Sequence, residues 1–268
     1  MFDAATTTTP LQRVRGRAMA RLSGGRLRDL HQSGSAKCLL PRVFGRAPEV
    51  VFLNTAGGVT GGDHLEYSLR IEDGAALGTT QTAERAYRAT GAPGRVETRL
   101  SVGPGATLHW VPQELILFDG AALDRRLSVE MAEDAELILL ETLVLGRAAM
   151  GERVQNLRLT DRRDVMRGGK RAMIEAIRLT DADLTSASPA GLNGATATAS
   201  LTLIAPDAED RLARLRTALP RDIRAAASAW DGRLTARFLA PRAYPLRKAV
   251  ARAVECITNA PLPRVWQI

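Results

Sequence analysis

From about residue 12 to residue 180 the chain alternates apolar and polar positions with a period of two, and the alternation breaks at short polar turns. One unit recurs: an alternating segment, a tight turn, then a more apolar segment opening on Ala and Leu or a near equivalent. It reads Tyr67-Ser-Leu-Arg-Ile-Glu-Asp-Gly-Ala-Ala-Leu77, Arg99-Leu-Ser-Val-Gly-Pro-Gly-Ala-Thr-Leu108 and Arg126-Leu-Ser-Val-Glu-Met-Ala-Glu-Asp-Ala-Glu-Leu137. A looser fourth copy runs from Leu157 to Met166, turns through Arg167-Gly-Gly-Lys170 and returns from Ala172 to Leu179. Period-two segments joined by glycine-bearing turns predict antiparallel hairpins, and their recurrence about every 30 residues predicts stacked hairpins. A β-sandwich of similar hairpins fits the same spacing.

Helical periodicity is confined mainly to the C-terminal third. Pro206 to Leu219 carries acids in its first turn and apolar residues at 212, 215 and 219, and Pro220 stops it. Leu246 to Ile257 places Leu246, Val250, Ala253, Val254 and Ile257 on one face. Trp230 to Leu239 reads as a turn feeding a strand. No linker-like stretch divides the chain, so one domain is expected.

Composition narrows the function classes. No run approaches the ~20 apolar residues that span a bilayer, and the threonine-rich Met1 to Pro10 lacks a secretory apolar segment, so a cytoplasmic location is expected, with no membrane partner. Cys38 and Cys256 lie far apart and read as reduced, unrelated thiols, and His31, His64 and His109 form no zinc-type cluster. A net charge of +8 raises nucleic acid as a partner. Yet all the basic residues except Lys37, Lys170 and Lys248 are arginines, spread among acids with no basic-aromatic interleaving, a pattern suited to carboxylate pairing. No nucleic-acid partner is expected.

Two features carry candidate chemistry. Asn54-Thr-Ala-Gly-Gly-Val-Thr-Gly-Gly-Asp63 lacks both the G-x-G-x-x-G spacing and the terminal Gly-Lys-Ser/Thr of a phosphate loop, so its glycines Gly57, Gly58, Gly61 and Gly62 serve close backbone packing or contact with a partner. Acids embedded in apolar strands are the second: Glu114, Glu141 and Glu175. A buried carboxylate must meet an arginine, a metal or water. Several converging on a wet interior would form a weak route for a divalent cation, and a pair beside a substrate-sized pocket would instead make a carboxylate-dependent hydrolase on a β-fold.

The glycine-rich segment resembles a signature of the UreD (UreH) family of urease accessory proteins. So do Thr79-Thr-Gln-Thr-Ala-Glu-Arg-Ala-Tyr-Arg88, Trp110-Val-Pro-Gln-Glu-Leu-Ile-Leu-Phe-Asp119, Leu145-Gly-Arg-Ala-Ala-Met-Gly-Glu152 and Pro261-Leu-Pro-Arg-Val-Trp266. The resemblance implies a non-enzymatic scaffold that binds UreF, through it the GTPase UreG, and the urease apoprotein. It implies no tightly bound cofactor, and transient Ni2+ in an internal passage with Asp63 and Glu175 as contacts and Glu114 and Glu141 as weaker ones. The fold it implies is mainly β, a helicoidal, solenoid-like stack of antiparallel β-hairpins with two α-helices in the C-terminal third. Residues 13–268 would form this single UreD-like domain, and residues 1–12 an extended or disordered N-terminus.

Overall fold

A computed structural model describes residues 12–267, so the expected extended N-terminus lies outside the described residues but for Gln12. The first strands are β1 (Arg15–Ser23), β2 (Arg26–Gly34), β3 (Ala36–Leu39), β4 (Glu49–Asn54), β5 (His64–Ile71) and β6 (Ala75–Thr80). Next come β7 (Glu84–Ala86), β8 (Gly94–Val102), β9 (Thr107–Trp110), β10 (Leu115–Leu117), β11 (Ala121–Met131) and β12 (Glu136–Leu145). After β13 (Leu157–Arg167) and β14 (Lys170–Thr180), helix α1 (Asp181–Thr185) leads to β15 (Ala197–Ile204) and α2 (Leu212–Ala218). The hairpin β16 (Arg224–Trp230) and β17 (Arg233–Ala240) precedes the long helix α3 (Ala243–Thr258).

The strands form two sheets. One has seven strands in the order β14-β13-β11-β8-β5-β1-β2, and the other has ten, along β16-β17-β15-β12-β9-β6-β4-β3 with β10 and β7 beside β12. The chain is mainly β, as expected, but the recurring units are not hairpins. In each of the first three, the arm before the turn lies in the seven-stranded sheet (β5, β8, β11) and the arm after it in the ten-stranded sheet (β6, β9, β12). The turn is thus a corner between sheets, and successive units pair in parallel: β5 with β8, β8 with β11, β6 with β9, β9 with β12. Only the fourth unit closes as an antiparallel hairpin, β13 on β14.

The difference between the arms follows from their burial. The seven-stranded sheet covers the core with one face only, so its strands alternate, as in the iBiBiBeB pattern of β5. β12 is buried at eight consecutive positions because the first sheet packs on one side of it and the helices on the other. The second core, between the ten-stranded sheet and the helices, takes the α3 stripe Leu246, Ala249, Val250, Ala253, Val254 and Ile257. That stripe recurs at three- and four-residue steps, as the sequence predicted. Helix α3 ends on Asn259 in the left-handed conformation. Among the described residues there are three α-helices rather than two. The additional one, α1, is a single short turn whose capping box pairs Thr180 with Asp183, too brief to show apolar periodicity.

Candidate functional site: charged residues between the sheets

Inward positions of several strands carry charge where apolar side chains are the rule. In β13 the buried phase reads Leu157, Leu159, Asp161, Arg163, Val165. β11 brings in Arg125 in phase with Leu123 and Leu127, β14 supplies Glu175, and Glu141 faces them from β12 in the other sheet. These side chains make one continuous file. Glu141 Oε2 accepts from Arg125 Nη2 at 2.6 Å, and Arg125 Nη1 donates to Asp161 Oδ2 at 3.1 Å. Arg163 donates to Asp161 Oδ2 and to Glu175 Oε2, both at 2.8 Å, and Arg237 of β17 closes on Glu175 Oε1. Side-chain exposure rises from 4% at Glu141 to 59% at Arg237, so the file runs from the interior to the surface.

Alternation of sign is what makes this burial tolerable, since an ion taken from water unpaired costs several kcal/mol. Burial works against the Arg125 charge, but the Asp161 and Glu141 carboxylates more than offset it and hold the guanidinium above its ordinary value. Asp161 shows the mirror image: burial would raise it, and Arg125 and Arg163 keep it below the usual carboxylate range. The pairing is not saturated, because Glu141 Oε1 and Arg163 Nε are buried without a hydrogen-bond partner among the described residues. Buried polar atoms of this kind are ordinarily met by water or an ion.

Two small cavities adjoin the file. One, of about 50 Å³, is lined by Tyr67, Thr80, Glu84, Thr98, Gln113, Arg125 and Glu141 among others; the second, of about 30 Å³, by Asn54, Gly57, Tyr67, Thr80, Glu84 and Arg85 among others. They share Tyr67, Thr80 and Glu84, and together they connect the glycine-rich loop to Glu141. Glu84 forms no ion pair among the described residues. Burial raises its carboxyl above the ordinary value, against weak opposition from the Arg85 amide, the Asn54 side chain and the Arg125 charge. It is the one member of this group with an unneutralised carboxylate.

The four acids expected from the sequence do not converge. Glu141 and Glu175 lie in the same file, linked through Arg125, Asp161 and Arg163. Asp63 lines neither cavity: its two oxygens accept from the Val14 and Thr60 amides, each at 2.8 Å, and so tie the glycine loop to the chain entering β1. Glu114 pairs with Arg247 of α3 at 2.9 Å. Arg247 also bonds Gln113 and stacks over Trp266, joining two of the signature segments. Among the described residues no three His, Cys, Asp or Glu side chains are grouped to hold a metal.

Gly58 and Gly61 serve close packing. A Cβ at Gly58 would lie 2.2 Å from the Tyr87 ring and 2.7 Å from the Arg85 carbonyl, and one at Gly61 would lie 2.6 Å from the Ala92 carbonyl. Gly57 has room on its outer side and borders the smaller cavity, while Gly62 abuts Arg13. Glu84, Arg125, Asp161, Arg163 and Arg237 were not singled out from the sequence. For Asp161 and Arg163 the signal was there, as two charges standing in the apolar phase of β13. The cavity beside Glu141, at about 50 Å³, is far below the ~300 Å³ of small-molecule pockets, and Glu141 within it faces Arg125.

A two-sheet β protein with an alternating charge file and two small cavities beside it is thus defined. The family profile described as "UreD urease accessory protein" matches residues 13–267. A urease accessory protein UreD of Jannaschia sp. (strain CCS1) is 74% identical over the full length of both chains. One of Paracoccus denitrificans (strain Pd 1222) is 48% identical over 100% of this chain and 97% of its own. The chain belongs to the UreD family of urease accessory proteins, and its role is accessory to urease maturation, not enzymatic. No helix among the described residues is long and apolar enough to cross a membrane.

Proposed function

We propose that this chain is a scaffold of urease maturation that binds UreF, through UreF the GTPase UreG, and the urease apoprotein, and that nickel bound for the urease active site passes through its interior. The observation that supports this reading is the meeting of the two cavities at Glu84, beside the file that ends at the surface on Arg237. Glu84, with no arginine partner among the described residues, and Glu141, neutralised by Arg125, are too few oxygen ligands to hold a divalent cation tightly, and a cargo that must leave requires weak holding. Ni2+ is cargo in this reading, and no tightly bound cofactor is called for. Glu84, Glu141 and Glu175 would contact the ion, while Asp63 and Glu114 would hold the glycine loop and the Trp110 to Asp119 segment in place.

UreF docking is assigned to exposed apolar side chains, of which Phe44, Met150 and Tyr244 are the most open. The test is co-purification of the chain with UreF and with urease apoprotein from the same source, together with nickel content of urease matured with and without the chain. Association with both partners and a nickel yield that depends on the chain are expected. Failure to associate with either partner would sink the scaffold reading.

A further inference from the structure

The outward side of the seven-stranded sheet is a plane of charged rows. Register places Arg15, His64, Arg95, Asp124, Thr160 and Arg178 side by side, and Arg17, Glu66, Glu97, Arg126, Arg162 and Ala176 in the next row. Arginines dispersed along the sequence thus collect on one face, because every second residue of adjacent strands points the same way. The carboxylates there are largely engaged: Glu66 and Glu97 with Arg99, and Asp164 with Arg162 and Arg171. Arg15, Arg17, Arg95 and Arg126 are exposed and form no ion pair among the described residues. A chain of net charge +8 therefore turns unpaired cations outward on one sheet face.

We propose that this face docks an acidic protein surface. Exposed guanidinium groups match carboxylates in bidentate geometry, and a basic plane steers an acidic partner toward it. Protein is favoured over nucleic acid because the free arginines are single charges set among acids rather than a continuous basic track for a phosphate backbone, and the two rows carry no Phe, Tyr or Trp to stack on bases. Ile174, half exposed in the row beyond, adds an apolar contact. The choice of the urease apoprotein as the acidic partner rests on the maturation reading above; the chemistry of the face does not.

The test compares two triple variants of equal charge change. Arg17→Glu, Arg95→Glu, Arg126→Glu alters the face, and Arg221→Glu, Arg242→Glu, Arg252→Glu alters exposed arginines elsewhere. All six positions are exposed and thermal melts verify that both variants stay folded. Binding is measured by anisotropy to labelled poly-L-glutamate and to oligo-dT of equal length, and by sensor to purified urease apoprotein. The face variant should lose about tenfold or more in affinity for poly-L-glutamate and for the apoprotein, in a salt-dependent manner, while the control stays near wild type. Equal losses in both variants would reduce the effect to net charge and overturn the proposal. Tighter binding of oligo-dT, lost in the face variant, would overturn it in favour of a nucleic acid. An apoprotein that binds wild type and face variant alike would remove this face from the urease contact, whereas an apoprotein that binds neither, with poly-L-glutamate binding lost only on the face, would sink the maturation reading and leave the acid-binding face standing.

Discussion

Glu141 and Arg125 meet at 2.6 Å across the gap between the two sheets, one from β12 and the other from β11. The pair is a bond between layers made in a region otherwise packed with leucine. Glu141→Ala leaves Arg125 buried with Asp161 as its remaining partner, and the expected loss is about 3 kcal/mol, the lower end for a broken buried pair. Glu141→Gln, which keeps an acceptor, should lose less. Urea denaturation of both variants gives the comparison, and an alanine variant as stable as wild type would show the pair to be dispensable.

Asp63 presents a different case, since both its oxygens serve backbone amides. Asp63→Ala should cost about 3 kcal/mol, because hydrogen bonds to a charged acceptor contribute roughly 1.5–3 kcal/mol each, and Asp63→Asn should recover part of that. Hydrogen exchange should accelerate at the Val14 and Thr60 amides specifically. Unchanged protection there would remove Asp63 from its place as the clasp of the glycine loop.

Gly61→Ala should destabilise by about 2 kcal/mol, since the new methyl meets the Ala92 carbonyl, a backbone atom with little freedom to yield. Gly57→Ala has no such neighbour and pays only for its positive φ of 76°. A melting temperature ranking the two the other way round would contradict the packing account.

Two carboxylates set opposite slopes in the pH dependence of stability. Hydrogen bonds from His109 and Arg211 outweigh burial at Glu136 and hold it at about 2, below the ordinary 4.5. Its contribution is therefore present above pH 4.5 and lost as pH falls toward about 2. Glu84 is raised, so the folded state binds its proton more tightly than the unfolded chain, and stability from this group declines as pH rises through its folded value. Glu84→Gln should accordingly stabilise at neutral pH and remove that decline, whereas Glu136→Gln should destabilise there. Denaturation midpoints from pH 3 to 8 test both signs, and a less stable Glu84→Gln at neutral pH would contradict the burial argument.

Much of this was legible in the sequence, and the illegible part has a physical source. The α3 stripe is local, three and four residues apart, and could be read directly. So could the contrast between an alternating arm and a more apolar one in Arg126 to Leu137, which is the imprint of a one-sided sheet and of a sheet covered on both faces. What a turn such as Gly103-Pro-Gly105 cannot reveal is whether its arms pair with each other or with their counterparts a unit away, because that depends on contacts far along the chain. The same limit hid the file. Glu141 and Glu175 stood out as acids among apolar residues, but Arg125 and Arg163 look like any other arginine until the strand phase is known.

The most direct test of the passage is nickel delivery by variants that keep the fold. Glu175→Ala would leave the buried Arg163 short of a partner, so the glutamine forms are the appropriate probes. A Glu84→Gln, Glu175→Gln double variant, checked for its melting temperature and for co-purification with UreF, is used to mature urease, and nickel is measured per urease active site. Folded, UreF-bound protein that loads less nickel than wild type is expected; full loading at the wild-type rate by the same stable variant would contradict a passage through these carboxylates.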